Sequence, residues 1–195
     1  MTKAERTKQL IIEKAAPLFN TKGVAGTSLS DILEVTKLAK GSLYVHFENK
    51  EELAHEVVNY QLKKLSEKVE AAMSRQKTAK EKLFSYIDLH LDPLNPPILG
   101  GCPLLNFGME ADDTDEVICK KVHMLIETAQ QNIRTVIEKG IASGEFKPDW
   151  DAQEFATQMF AMVEGGIMMS RIAGNKKAMQ SIARSLKKEI EEKTA

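Results

Sequence analysis

Thr27–Leu53, TSLSDILEVTKLAKGSLYVHFENKEEL, decides the fold of this 195-residue chain. Leu29, Ile32 and Leu33 recur at helical spacing. Thr27 and Ser28 stand just ahead of that run, where a hydroxyl caps orphan backbone N–H groups. Thr36-Lys37-Leu38 breaks the pattern, with Leu38 placed to point inward between two helices. A second short helix is expected from Ala39 to Phe47, with Leu43 and Phe47 on one face. Its other face carries Lys37, Lys40, Ser42, Tyr44 and His46. Cations for phosphate, short hydroxyls and an aromatic for base edges and methyls are the equipment of a recognition helix. Asn49 then caps a longer helix, with Glu52 three residues on as the capping-box partner. Lys50, in the first turn of that helix, is placed to reach a phosphate.

Working outward, the run from Arg6 through Ala15, Ala16, Leu18 and Phe19 to Gly23 braces this pair from the N-terminal side. With Thr27-Ser28, Ile32, Gly41-Ser42-Leu43-Tyr44, His46-Phe47 and Lys50-Glu51-Glu52-Leu53, it resembles the DNA-binding domain of the TetR family of one-component transcriptional regulators. The motif resemblance covers the first quarter to third of the chain; the rest matches in length, helical character and layout. It implies an all-α protein: a three-helix helix-turn-helix domain over 1–50 and a helical ligand-binding and dimerisation domain over 51–195. DNA contacts would fall to Thr27, Ser28, Lys37, Lys40, Gly41, Ser42, Tyr44, His46 and Lys50. The implied function is that of a ligand-released repressor binding a palindromic double-stranded operator as a homodimer. Two departures stand out. The family often has Ala-Gly in the turn where this chain has Thr36-Lys37, and a lysine at positive φ is costly relative to glycine. Val45 stands where the family usually carries an aromatic or histidine.

Composition agrees with an all-helical class: proline and glycine are sparse, and alanine, leucine, lysine and glutamate are common. Charge gives no bulk argument for nucleic acid. The net charge is −1, and the first 60 residues hold eight Lys/Arg against eight Asp/Glu. The local signal is that residues 35–47 contain Lys37 and Lys40 and no acid. No apolar run reaches membrane-spanning length and the N-terminus lacks a signal-peptide core, so a cytoplasmic protein with no membrane partner is expected. Cys102 and Cys119 form neither a metal pattern nor a disulfide framework. No cofactor and no metal is expected.

Further along, Leu53, Val57, Tyr60, Leu65, Val69 and Met73 mark a long helix from Glu48 to about Arg75, which the resemblance makes a lever leaving the DNA-binding head. Helices are then expected over 78–91, from near Pro103, and over 115–143, followed by two more from Asp151 and from about Lys176. The resemblance implies a small apolar or aromatic effector. Residue chemistry offers Phe84, Ile87, Leu91, Leu105, Met109, Met124, Met159 and Phe160 as lining, with Asn106 and His123 as polar anchors. It also implies dimers pairing their last two helices, with Phe155, Met162, Gly166, Ile167, Met179, Ile182 and Leu186 as candidates. Plain core packing is the alternative at each of these positions. Two other classes remain open on sequence. A Cys102–His123 nucleophile pair lacks any diagnostic spacing, so no enzyme is expected. A helical small-molecule-binding protein without DNA-binding activity would leave Lys40, Tyr44 and Lys50 without a role.

Overall fold

The computed structural model describes all 195 residues. Nine helices follow one another: α1 (Lys3–Gly26), α2 (Leu29–Thr36), α3 (Lys40–Tyr44), α4 (Lys50–Ser74), α5 (Ala79–Leu89), α6 (Pro103–Ala111), α7 (Glu116–Ala142), α8 (Ala152–Ala173) and α9 (Lys177–Glu192). The termini follow local chemistry. Reciprocal capping boxes start α1 (Thr2 with Glu5), α2 (Ser28 with Asp31) and α5 (Thr78 with Glu81). Pro103 opens α6, where its missing N–H costs nothing, and left-handed Gly174 closes α8.

Local geometry departs from the expected pattern in three places. α3 is a single five-residue turn ending at Tyr44, because His46 N–H bonds the Leu43 carbonyl and tightens the chain. At the start of α4, Glu52 N–H donates to Asn49 Oδ1 at 2.8 Å as expected, but the Glu52 carboxylate reaches Glu48 N–H instead of that of Asn49. Gly23 ends the regular body of α1, leaving helical geometry at φ 78° and ψ 171°, but one further turn, not expected, then runs to Gly26.

The chain forms two compact units. Unit one is 1–65 together with 98–123, and unit two is 66–97 together with 124–195, so the division falls inside α4 and inside α7. This differs from a boundary at residue 50: α6 and the start of α7 group with the N-terminal helices. The core of unit one includes Ile11, Phe19, Ile32, Leu53, Phe107 and Ile118, all at most 2 % exposed. Each such side chain contributes about 1.5–3 kcal/mol by leaving water.

Unit two is centred on Leu83, Ile87, Ile137, Phe146, Met159 and Met179. Phe146, Trp150 and Phe155 pack as a run of rings with centroids 4.9 and 4.7 Å apart. Two glycines permit close approach there. A Cβ on Gly140 would lie 2.3 Å from the Phe146 ring, and one on Gly166 would lie 2.8 Å from Met179 Sδ and 2.9 Å from Ile182 Cδ1.

Candidate DNA-binding surface and the residues that hold it

α2 and α3 are joined by the turn at Lys37, which adopts φ 58° and ψ 27° and is the one non-glycine residue at positive φ. The turn costs a β-carbon clash of roughly 1–2 kcal/mol that glycine would avoid. In return the chain carries a cation at the mouth of the motif. Leu43 and Phe47 anchor the second element at 3 % and 2 % exposure. Lys37, Lys40, Gly41, Ser42, Tyr44 and Val45 are all exposed beside them, and His46 is half-buried. Lys40 Nζ lies 6.0 Å from the centre of the Tyr44 ring. A surface of two ammonium groups, a hydroxyl, a phenol and an exposed valine can pair with phosphate, base edges and methyl groups. Val45, 78 % exposed, was absent from the residues expected to touch DNA, and its exposure is the signal that adds it.

Three expected contact residues have other partners. Thr27 is fully buried, and its hydroxyl donates to Gly23 O at 2.7 Å, so it closes α1. Ser28 alone caps α2, accepting from Asp31 N–H at 3.1 Å. Lys50 Nζ donates to Val24 O at 2.8 Å and Thr27 O at 3.0 Å, so two of its three protons brace the α1–α2 connection. α2 is also tied back to α1 by Lys22 and Asp31 at 2.7 Å. Hydrogen bonds from Lys22 and Ser28 hold the Asp31 carboxyl far below the usual carboxylate range.

Behind this surface, Glu110 and Asn106, the latter expected as a polar anchor for an effector, do structural work in unit one. Glu110 accepts N–H bonds from Val24 and Ala25, both at 2.8 Å. Asn106 Nδ2 lies within donating distance of Asn20 O, Asn20 Oδ1 and Gly100 O at 3.0–3.1 Å, so its NH2 group is engaged within the fold. His55 Nε2 lies 2.8 Å from Asp115 Oδ2, and the other Asp115 oxygen caps α7 through Val117 and Ile118 N–H. Burial pushes the Asp115 carboxyl up, but the Ile118 N–H and His55 outweigh it and the net shift is downward. Glu51 brings a third donor atom into this cluster, all within 4.8 Å of one another. Lys121 Nζ, 3.3 Å from His55 O, and the N-terminus of α7 put positive charge beside it, which suits a hydrogen-bonded histidine–carboxylate pair better than a cation site.

The ten effector candidates are distributed over both units. In unit two, Ile87, Met159 and Phe160 are buried, Phe84 and Leu91 are half-buried, and Met124 is 66 % exposed. The Phe84 ring lies between Lys187 Nζ at 4.9 Å and Lys80 Nζ at 5.5 Å, beside an open groove that Gln76, Glu81 and Asp88 also line. In unit one, Leu105 is half-buried, and Met109 and His123 are exposed.

The dimer candidates separate by burial. Phe155, Gly166, Ile167, Met179 and Leu186 are enclosed within the single chain, where α8 packs on α9, and only Met162 and Ile182 keep intermediate exposure. The alternation of apolar residues on α8 is that of a two-sided helix. Its other side carries Gly165, Met168, Met169 and Ile172, the last 82 % exposed, and nothing lies within 4 Å of a Cβ on Gly165.

Comparison with known proteins adds identity to this geometry. The family profile described as bacterial regulatory proteins, tetR family, matches residues 11–57, and that described as tetracyclin repressor-like, C-terminal domain, matches residues 79–186. The crystal structure of a TetR-family transcriptional regulator from Cytophaga hutchinsonii superposes with a TM-score of 0.92 at 38 % identity, covering 100 % of this chain and 98 % of that one. A TetR transcriptional regulator from Chloroflexus aurantiacus J-10-FL gives 0.93 at 34 % identity, with the same coverage. Among curated sequences, the uncharacterized HTH-type transcriptional regulator YxaF of Bacillus subtilis (strain 168) is 29 % identical over 194 residues, covering 95 % of this chain and 96 % of its own.

Proposed function

Because the chain belongs to the TetR family of transcriptional regulators, we propose that it binds a palindromic operator as a homodimer, represses transcription there, and leaves when a small effector binds. The observation that carries DNA recognition is the exposed constellation Lys37, Lys40, Ser42, Tyr44 and Val45, anchored from behind by buried Leu43 and Phe47. α3 enters the major groove, Lys37 and Lys40 pair with phosphates, Ser42 and Tyr44 meet base edges, and Val45 packs on a thymine methyl. Half-sites lie about one helical turn apart or a little more.

The exposed stripe Met168, Met169 and Ile172, with half-buried Gly165 beside it, supports dimerisation through α8, on the side opposite its packing against α9. Buried Ile87, Met159 and Phe160 support an effector site in the apolar interior of unit two, since methionine reshapes easily around a guest. The coupling between effector and operator is typically about 1–3 kcal/mol and acts equally in both directions.

The test begins with selection of a duplex from a randomised pool by the full-length protein, followed by gel shifts across a salt series. Lys40→Ala lowers the slope of log K against log salt by about one for each phosphate contact removed. Retrieval of no palindrome, or binding indifferent to salt, refutes the DNA reading. A thermal-shift screen of apolar and aromatic small molecules then supplies candidate effectors. Hits that stabilise the protein yet leave operator affinity unchanged refute the release mechanism.

A further inference from the structure

Five residues, Gly23 to Thr27, carry the chain from the body of α1 into α2, and they are held from outside at both ends. The break at Gly23, φ 78° and ψ 171°, exposes the amides of the short turn that follows. The Glu110 carboxylate, on the last turn of α6, meets two of them in a bidentate clasp at 2.8 Å each. Lys50, on α4, takes the carbonyls of Val24 and Thr27 at the other end. An anion thus sits at the amide end of the turn and a cation at its carbonyl end, each on the side that the peptide dipoles favour. The fit leaves no slack: a Cβ on Gly23 would stand 2.8 Å from Glu110 Oε2. The segment leading into α6 is fixed to α1 by Asn20, whose amide donates to Leu99 O at 2.7 Å and Gly101 O at 3.2 Å, and α6 itself is fixed by Asn106, which donates to Asn20 O. All of these residues fall in one compact unit, 1–65 with 98–123.

We infer that α6 completes the DNA-binding head and that Glu110 is a positioning residue for DNA recognition. It touches no nucleic acid. It fixes the path of residues 23–27, and Ser28, the cap of α2, follows immediately. The direction of α2, and with it the presentation of Lys37, Lys40 and Tyr44, depends on that path. The inference rests on the reading that α2 and α3 face the operator.

The test uses the full-length chain and the duplex that the wild type retrieves from a randomised pool. Two charge-assisted bonds are lost in Glu110→Ala, so operator affinity falls about tenfold to a hundredfold. Glu110→Gln keeps one acceptor oxygen and falls less. In both variants the salt slope stays at the wild-type value, since no phosphate contact is removed. Amide hydrogen exchange over residues 24–28 accelerates at least about tenfold while α8 and α9 keep wild-type rates. Asp113→Asn, an exposed neighbour, changes neither readout. Affinity within twofold of wild type in Glu110→Ala overturns the proposal, as does an unchanged exchange rate at 24–28. Faster exchange through every helix marks a purely structural role and overturns it as well. If the wild type retrieves no duplex, the DNA reading itself has failed, and local exchange in Glu110→Gln still decides whether the clasp holds the turn.

Discussion

Replacing Lys37 by glycine should make the protein more stable and a weaker DNA binder at once. Lys37 holds φ 58° and ψ 27°, a region where an L residue loses roughly 1–2 kcal/mol to its own β-carbon. Glycine removes that cost but has more freedom to lose on folding, which takes back roughly 0.5–1 kcal/mol. The backbone bond from residue 37 N–H to Leu33 O, 2.9 Å, survives the change, and the lysine side chain is exposed. A net gain of about 0.5–1 kcal/mol follows, raising the melting midpoint by about 1–4 °C for a chain of this size. Circular dichroism melts of wild type, Lys37→Gly and Lys37→Ala separate the causes. Alanine keeps the β-carbon, so it gains nothing. Gel shifts on the same proteins should show a shallower salt slope in both variants, because each loses one cation per subunit. A lower midpoint in Lys37→Gly, or equal midpoints for glycine and alanine, refutes the argument that the β-carbon dominates this turn.

Gly140→Ala forces a methyl to within 2.3 Å of the Phe146 ring, which Trp150 holds in place, and should destabilise unit two by about 1–3 kcal/mol in urea titrations. Ile172→Asp should give folded monomers in sedimentation velocity, because that side chain is 82 % exposed in the single chain; Ile167→Asp, at 4 %, should unfold the chain instead. Acid should act in two windows. Burial pushes buried His90 below its ordinary 6.5, so its contribution is complete above about 6.5 and is lost as pH falls towards the lowered folded value. Asp115, shifted down from 3.8, does the same below about 4. Melting midpoints measured from pH 8 to 3 should show both limbs, with His90→Phe removing the upper one and Asp115→Asn shrinking the lower one, to which the lowered carboxyls of Asp31, Asp92 and Glu81 also contribute.

The helix-turn-helix was legible because its signals are local. Capping at Ser28, the 3–4 spacing of Leu29, Ile32 and Leu33, and the anchors Leu43 and Phe47 all act within a few residues. The strained turn at Lys37 followed from the lysine standing where glycine is comfortable. Lys50 was readable as a cation in a first helical turn, but its acceptors, Val24 O and Thr27 O, lie more than 20 residues away and leave no periodic trace. Glu110 carries no sequence signal of its role, since a carboxylate bound to distant backbone amides has the same sequence appearance as a solvated one. On α8, apolar residues occupy both sides, so periodicity showed a hydrophobic helix without showing which side meets α9. Gly166 settles it, because only contact with Met179 and Ile182 requires a missing side chain there.

The interleaving of residues 98–123 with 1–65 in one unit has a consequence in time. Val24 and Glu110 are 86 positions apart, and Asn20 and Leu99 are 79 apart. A chain growing at about 5–20 residues per second makes Glu110 about 3–12 s after residue 50, and such distant pairings also slow folding through loop closure. The nascent N-terminal helices therefore pass through an interval in which the turn at Gly23 has no carboxylate to close it. An incomplete translation product that carries the whole motif but stops short of residue 110 therefore lacks the carboxylate that holds residues 24 and 25.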